Sequence, residues 1–116
     1  MTQPMSMAIY TRSVLAVGAV TQRRAVKASG AQATVQGEKV LGIAQYNAPD
    51  KGDLALDVLG TAVAEAGAAV AADDDLITDA QGRLIPATGA GGEIVCARAL
   101  SAASGAGKLL EVLLKP

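Results

Sequence analysis

A few groups of residues in this chain are of types that could do chemistry. Gly105-Ala106-Gly107-Lys108 has the closing residues of a phosphate-binding loop. The full pattern also needs a glycine five residues before the second Gly, and Ser or Thr after the Lys to hold magnesium. Those positions are Ala102 and Leu109, and Lys108 is expected to open a strand, so no helix N-terminus would face a phosphate. Asp73-Asp74-Asp75 with Asp79 could offer oxygen ligands to calcium, but the glycine and glutamate that a calcium loop requires at its sixth and twelfth positions are absent. Asp53 and Asp57 stand four apart on an expected strand, hence on one face, with no aromatic platform nearby for a hydrolytic carboxylate pair.

The single cysteine, Cys96, rules out an internal disulfide. Within Ile94-Val95-Cys96-Ala97 it is expected to be a buried small hydrophobe rather than a reactive thiol. The chain has no histidine. That removes His-based triads, the commonest general base and the usual zinc sites. The expectation is a protein without catalysis, cofactor or resident metal.

Such residues need a scaffold, and composition limits what kind. The 116 residues suit one domain. They include 25 Ala and 13 Gly, no Phe or Trp, and only Tyr10 and Tyr46 as aromatics. Alanine buries little apolar area, so Val35, Val40, Leu41, Ile43, Leu54, Leu56, Val58, Leu59, Leu76, Ile77, Leu84, Ile85, Ile94, Val95 and the run from Leu109 to Leu114 must supply a thin core. Thin cores are commonly reinforced by subunit burial, and self-association is expected.

Net charge is −1, but residues 1–37 carry +4 and residues 38–116 carry −5. A basic end can therefore meet an acidic partner, a sibling subunit included. Arg23, Arg24 and Lys27 lack the interleaved aromatics of a nucleic-acid surface, so no nucleic-acid partner is expected. No apolar stretch reaches the length of a membrane span, and the N-terminus lacks a signal-peptide pattern. The expectation is a chain made in, and soluble in, a cytoplasm.

Many short apolar segments cut by Gly and polar turns predict a mainly β fold, a small barrel or sandwich with at most one short helix. Strands are predicted over Ile9–Val17, Arg24–Ala28, Val40–Gln45, Leu54–Glu65, Leu76–Thr78, Arg83–Pro86, Ile94–Leu100 and Lys108–Leu114. Asp79-Ala80-Gln81-Gly82 reads as a hairpin turn with glycine where a positive φ is wanted. The alanine-rich stretch allows a short helix or turn near Ala68–Asp73. Val40–Val58 and Ile94–Val112 echo one another, with Gly52 matched to Gly107 and loops differing by one residue. Two similar units packed into one barrel would explain the echo.

Residues 1–10 read as an extended N-terminal arm ahead of a single β-rich domain over 11–116. Pro4 disfavours helix. Met5, Met7 and Ile9 are spaced two apart, so an extended chain points them to one side. Methionines adapt to irregular grooves. Tyr10 can bury its ring at a wet rim, and Arg12 can orient the basic end. Pro4, Met5, Met7, Ile9, Tyr10 and Arg12 are accordingly the candidate partner-binding residues. The arm is expected to be loose in the free protein and ordered against a sibling or a larger surface.

The order of motifs resembles the capsid cement, or decoration, proteins of tailed bacteriophages. It is carried by Arg24-Ala25-Val26, Gly37–Ala44, Lys51–Ala62, Glu65-Ala66-Gly67, Thr78–Arg83, Ala97–Leu100, Ala102–Gly107 and Glu111–Leu114. Each block is weak alone; order and spacing together are specific, from about Met7 to Leu114. Some members of that family carry a predicted-recombinase label, which the lack of a complete phosphate-binding loop here contradicts. The family often has Gly in the turn where this chain has Asp73–Asp75. The resemblance implies binding of the major capsid protein from outside, at three-fold and quasi-three-fold sites, as a homotrimer that stabilises the head. It implies a place on the capsid exterior. Two other readings remain open at this point: another virion part such as a tail or baseplate component, and a metal-dependent enzyme subunit using the acidic turn.

Overall fold

The computed structural model describes residues 8–115. These residues form eight strands and no helix. The strands are β1 (Ala8–Leu15), β2 (Ala25–Val26), β3 (Gly42–Ala44), β4 (Asp53–Glu65), β5 (Asp75–Thr78), β6 (Leu84–Pro86), β7 (Ala97–Ala99) and β8 (Leu109–Leu114). They make one antiparallel sheet in the order β2-β3-β4-β8-β7-β5-β6, with β1 also paired to β4. The sheet curls into a nearly closed barrel. Ala66 bridges Leu84 in parallel, and the Gly67 N–H donates to the Leu84 carbonyl at 2.9 Å, bringing the far strand back to the end of β4.

The echo between the two halves is real and extends beyond the segments that suggested it. Val20 and Ala48 exchange backbone hydrogen bonds; so do Val70 and Ala103. The Arg23 N–H donates to Ala44 O, and the Asp73 N–H to Ala99 O, both at 2.8 Å. Leu41 N–H to Val26 O matches Cys96 N–H to Leu76 O. Ala16 N–H to Gly52 O matches Ala66 N–H to Lys108 O. Ladder registers agree as well: Leu15 pairs Asp53 and Val14 pairs Leu54, as Glu65 pairs Leu109 and Ala64 pairs Leu110. The first repeat runs from β1 into the front half of β4. The second starts with the back half of β4 and ends with β8. β4 thus closes one repeat and opens the next, and Gly60, at φ 94°, sits where it changes role.

Turn conformations repeat too. Arg23 and its counterpart Asp73 have φ of 65° and 73°. The acidic turn therefore keeps the left-handed backbone that a glycine would supply, because Asp tolerates that region better than most side chains. Gly82, at φ 78°, does so in the Asp79–Gly82 turn, as expected.

Two groups of buried side chains follow the repeats. Ala16, Val20, Val26, Ala44, Ala48, Leu54 and Leu56 fill the first. The second gathers Leu76, Leu84, Leu110, Val112 and Leu114 around many alanines, and Ala25, Ala33 and Ile43 of the first repeat join it. Small side chains let strands of different repeats approach closely. Close approach also occurs within the first repeat: a Cβ on Gly42 of β3 would lie 2.4 Å from the Asp57 carbonyl oxygen of β4.

The helix allowed near Ala68–Asp73 is not formed. The N–H groups of Gly67, Val70 and Asp73 are spent on Leu84, Ala103 and Ala99 across the sheet, so none is left for an i−4 carbonyl. The turn allowed there is what the chain adopts.

Candidate partner-binding surface

β1 is built differently from every other long strand. Among the described residues it pairs with β4 alone. Thr11, Arg12 and Ser13 are exposed, as are the flanking Tyr10 and Leu15. Its pairing slips on both sides of Tyr10, between Ala8 and Thr11. Such irregularities twist an edge away from regular pairing.

Of the candidate residues, Pro4, Met5 and Met7 lie outside the described residues. Ile9 falls within β1. Tyr10, 51% exposed, is registered opposite Leu59, itself 38% exposed, so the two form an apolar pair at the strand's open end. Arg12 is exposed opposite the buried Leu56. The strand starts at Ala8 where Ile9 was expected, and the arm boundary at residue 10 falls inside it. Leu15 and Val17, 59% and 56% exposed, extend the apolar surface at the other end of β1 and were not singled out from the sequence. The expected Ile9–Val17 strand contained both, but edge position is not legible in a period-two pattern.

Beneath β1, Asp57 is buried on β4. Its Oδ1 accepts from the Thr11 hydroxyl at 3.4 Å and from the Gln45 side-chain amide. Hydrogen bonding allows a carboxylate to sit there, and it ties β1 to the barrel. This is a structural role for the residue considered above with Asp53 as a catalytic pair; Asp53 is exposed.

Where the repeats meet, the contact is oppositely charged. The Arg24 guanidinium reaches both carboxylate oxygens of Glu65, at 3.1 and 3.3 Å, and the Gln81 carbonyl at 2.8 Å. The Glu65 N–H donates to the Arg23 carbonyl, and the Ala25 N–H to the Gly82 carbonyl. Asp79 shapes that turn: its Oδ1 accepts from the N–H groups of Gln81 and Arg83, and its Oδ2 meets Arg83 Nε at 3.3 Å. The Thr78–Arg83 motif is therefore a folded lip at the junction, with its acidic residue satisfied internally.

The other chemistry-bearing groups are similarly occupied. The Gly107 and Lys108 N–H groups donate to Ala66 and Gly105 carbonyls, not outward to an anion. Asp74 accepts from the Ala71 N–H, Asp75 is 3.8 Å from Lys115, and Asp79 is turned into its own loop. Among the described residues no group of acidic, His or Cys side chains is placed to hold a metal ion. Cys96 is buried, and desolvation pushes its thiol up to about 11, as an inert core position should. Partial burial raises the Glu38 carboxyl, but N–H donation from Val35 and Thr34 and the nearby Lys27 ammonium outweigh it and leave it lowered. Glu93 is lowered by the Thr88 hydroxyl and the Gly89 N–H. Both carboxylates pin loops. Two shallow depressions, about 360 and 510 Å³, are lined mostly by alkyl groups beside Lys27 and Lys39 in one and Lys108 in the other. Neither gathers convergent polar groups.

The exposed strand edge and the Tyr10–Leu59 pair form a surface suited to a protein partner. Comparison with known families decides the class: a family model described as phage cement protein matches residues 8–116. The chain belongs to the phage cement protein family. It is a phage structural protein associated with the capsid, a component of the virion. Among solved structures it is similar to the crystal structure of the head fiber gp8.5 N base in bacteriophage phi29, with a TM-score of 0.70 and 20% identity. The match covers 91% of this chain and 93% of that one. At that identity the likeness concerns the fold. No curated protein matches the chain.

Proposed function

We propose that this chain is a capsid decoration protein. It binds the outer surface of the major capsid shell at three-fold and quasi-three-fold positions, as a homotrimer, and stabilises the head without catalysis. The observation that carries the reading is the cement-family match across all the described residues. The open β1, the exposed Tyr10–Leu59 pair and Arg12 support it, since they offer a docking edge where a reactive pocket would be expected of an enzyme. Pro4, Met5, Met7, Ile9, Tyr10 and Arg12 are assigned to partner contact. In many copies, each crossing a boundary between shell subunits, modest contacts become effective through multivalency.

The test is co-sedimentation with empty expanded capsids, followed by reconstruction of the particles. Density on the outside of the shell at three-fold positions is the expected result. Density confined to a tail or baseplate, or no binding, rejects the reading.

A further inference from the structure

We propose that copies of this chain associate head to tail, the open edge of β1 in one copy receiving the Asp73–Asp75 turn of the next. This rests on the self-association part of the function proposed above and names its contact.

The molecule contains one worked example of such a contact, between its own repeats. There the second repeat's opening strand, the back half of β4, receives the Arg23–Ala25 segment of the first. The Glu65 N–H, pointing away from β8, donates to the Arg23 carbonyl at 3.0 Å, and the Glu65 carboxylate pairs with Arg24. Ala25 and Ala62 are fully buried in one shared cluster.

The repeat equivalence carries each element to a free position. Glu65 corresponds to Leu15, and Ala62 to Arg12. The Ala16 N–H points toward β4, to Gly52 O, and the Val17 N–H points away, to Gly30 O. Alternation along a strand therefore points the Leu15 N–H away from β4, toward a side where β1 has no strand among the described residues and where Gly30 packs against the Leu15 carbonyl. On the giving side, Arg23, Arg24 and Ala25 correspond to Asp73, Asp74 and Asp75. Asp73 has the same left-handed backbone as Arg23. The shared backbone geometry would place the Asp73 carbonyl to accept from Leu15.

Charge agrees. Inside the molecule the giving segment is basic and the receiving strand acidic; at the free ends the giving turn is acidic and the receiving strand carries Arg12. The buried Ala25–Ala62 positions become Asp75 and Arg12, opposite charges at corresponding places. Among the described residues the Asp75 carboxylate is paired with an exposed Lys115 at 3.8 Å, a weak contact that a stronger partner can replace. A second copy is thus the occupant whose chemistry fits. A contact of this kind is heterologous, and three copies close into a ring when the rotation between them allows.

The experiment uses the full chain, in solution and on capsids. Arg12→Glu and Asp75→Arg each place like charges in the contact and should weaken association about tenfold, read by sedimentation. The double swap should restore it to within about threefold of the parent. Both sites are exposed, and circular dichroism checks that the variants fold. In a Cys96→Ala background, Leu15→Cys with Asp74→Cys should cross-link between copies on mild oxidation, on decorated particles or free. Single swaps without effect, a double swap no better than its parents, or decorated capsids without the cross-link overturn the head-to-tail contact while leaving decoration standing. A chain that neither self-associates nor binds capsids overturns both readings.

Discussion

The opening strands of the two repeats have the same register and opposite fates. In the back half of β4, Ala62, Val63 and Ala64 are buried. At the corresponding places in β1, Arg12 and Ser13 are exposed and Val14 is only partly buried. The backbone is the same; what differs is that the second repeat has the first packed over it, through Ala25, Ala33 and Ile43. The outer residues of the second repeat show the complement. Ala25 and Ile43 correspond to Asp75 and Arg98, which are exposed and charged. Repeat architectures finish with polar end faces because nothing follows to bury an apolar one. Here one end is charged and closed, and the other keeps Tyr10, Leu15 and Val17 in solvent.

The comparison can be broken most forcefully in the cores. Leu54 and Leu110 are equivalent and both fully buried. Truncating either to Ala should cost about 2–5 kcal/mol. Hydrogen exchange should distinguish them: Leu54→Ala should loosen chiefly the first repeat, whereas Leu110→Ala should loosen both, because the first leans on the second's larger core. Equal loosening of both repeats by either variant would show that they are one cooperative unit.

Cys96 and Leu41 are also equivalent, and only the cysteine titrates. Its thiol moves from 9.0 to about 11 on folding, so the folded state holds the proton more tightly. The contribution is fully present below pH 9 and lost as pH rises toward 11, to a total on the order of 3 kcal/mol. Denaturant midpoints measured across that range should fall in the parent more than in Cys96→Ala.

A smaller effect is expected at the junction. The Arg24–Glu65 pair is about four-fifths buried on both sides. Arg24→Ala should cost about 1–2 kcal/mol in urea denaturation and be less sensitive to salt than loss of the exposed Lys115–Asp75 pair, whose removal should be nearly silent. The turns should give small effects of opposite sign. Lys51, at φ 65°, corresponds to Gly107, at φ 85°. Lys51→Gly should gain up to about 1 kcal/mol and Gly107→Ala lose a similar amount, both read from thermal midpoints.

The sequence carried the fold class and nearly all strand positions, because alternation and glycine turns are local signals. Half of the repeat was legible as well, the half where Leu54 and Leu110 follow similar turns. It was matched one residue out of step: backbone equivalence sets Lys51, not Gly52, against Gly107. The other half was hidden for two reasons. Arg23-Arg24-Ala25 and Asp73-Asp74-Asp75 invert their charge, and the connection between β5 and β7 is longer than that between β2 and β3. The alanines at 66–72 suggested helix because propensity cannot register that their N–H groups are claimed from across the sheet. Val35, Leu59, Ile94 and Leu109, expected in the core, are instead exposed, and Leu15 was not singled out at all, since which strand ends a sheet depends on partners distant in sequence.

The shared strand has a mechanical consequence. Most two-part proteins are joined by a linker that can stretch while each part stays folded. Here the junction is the 13-residue β4 itself, laddered to β1 and β3 along its front half and to β8 along its back half. A tensile load applied to one repeat passes to the other through covalent backbone, and the flanking ladders are loaded along the strand, many bonds at once, instead of being unzipped one by one. The molecule has no compliant joint between its halves, so strain imposed at one end is felt at the other as displacement rather than absorbed as slack.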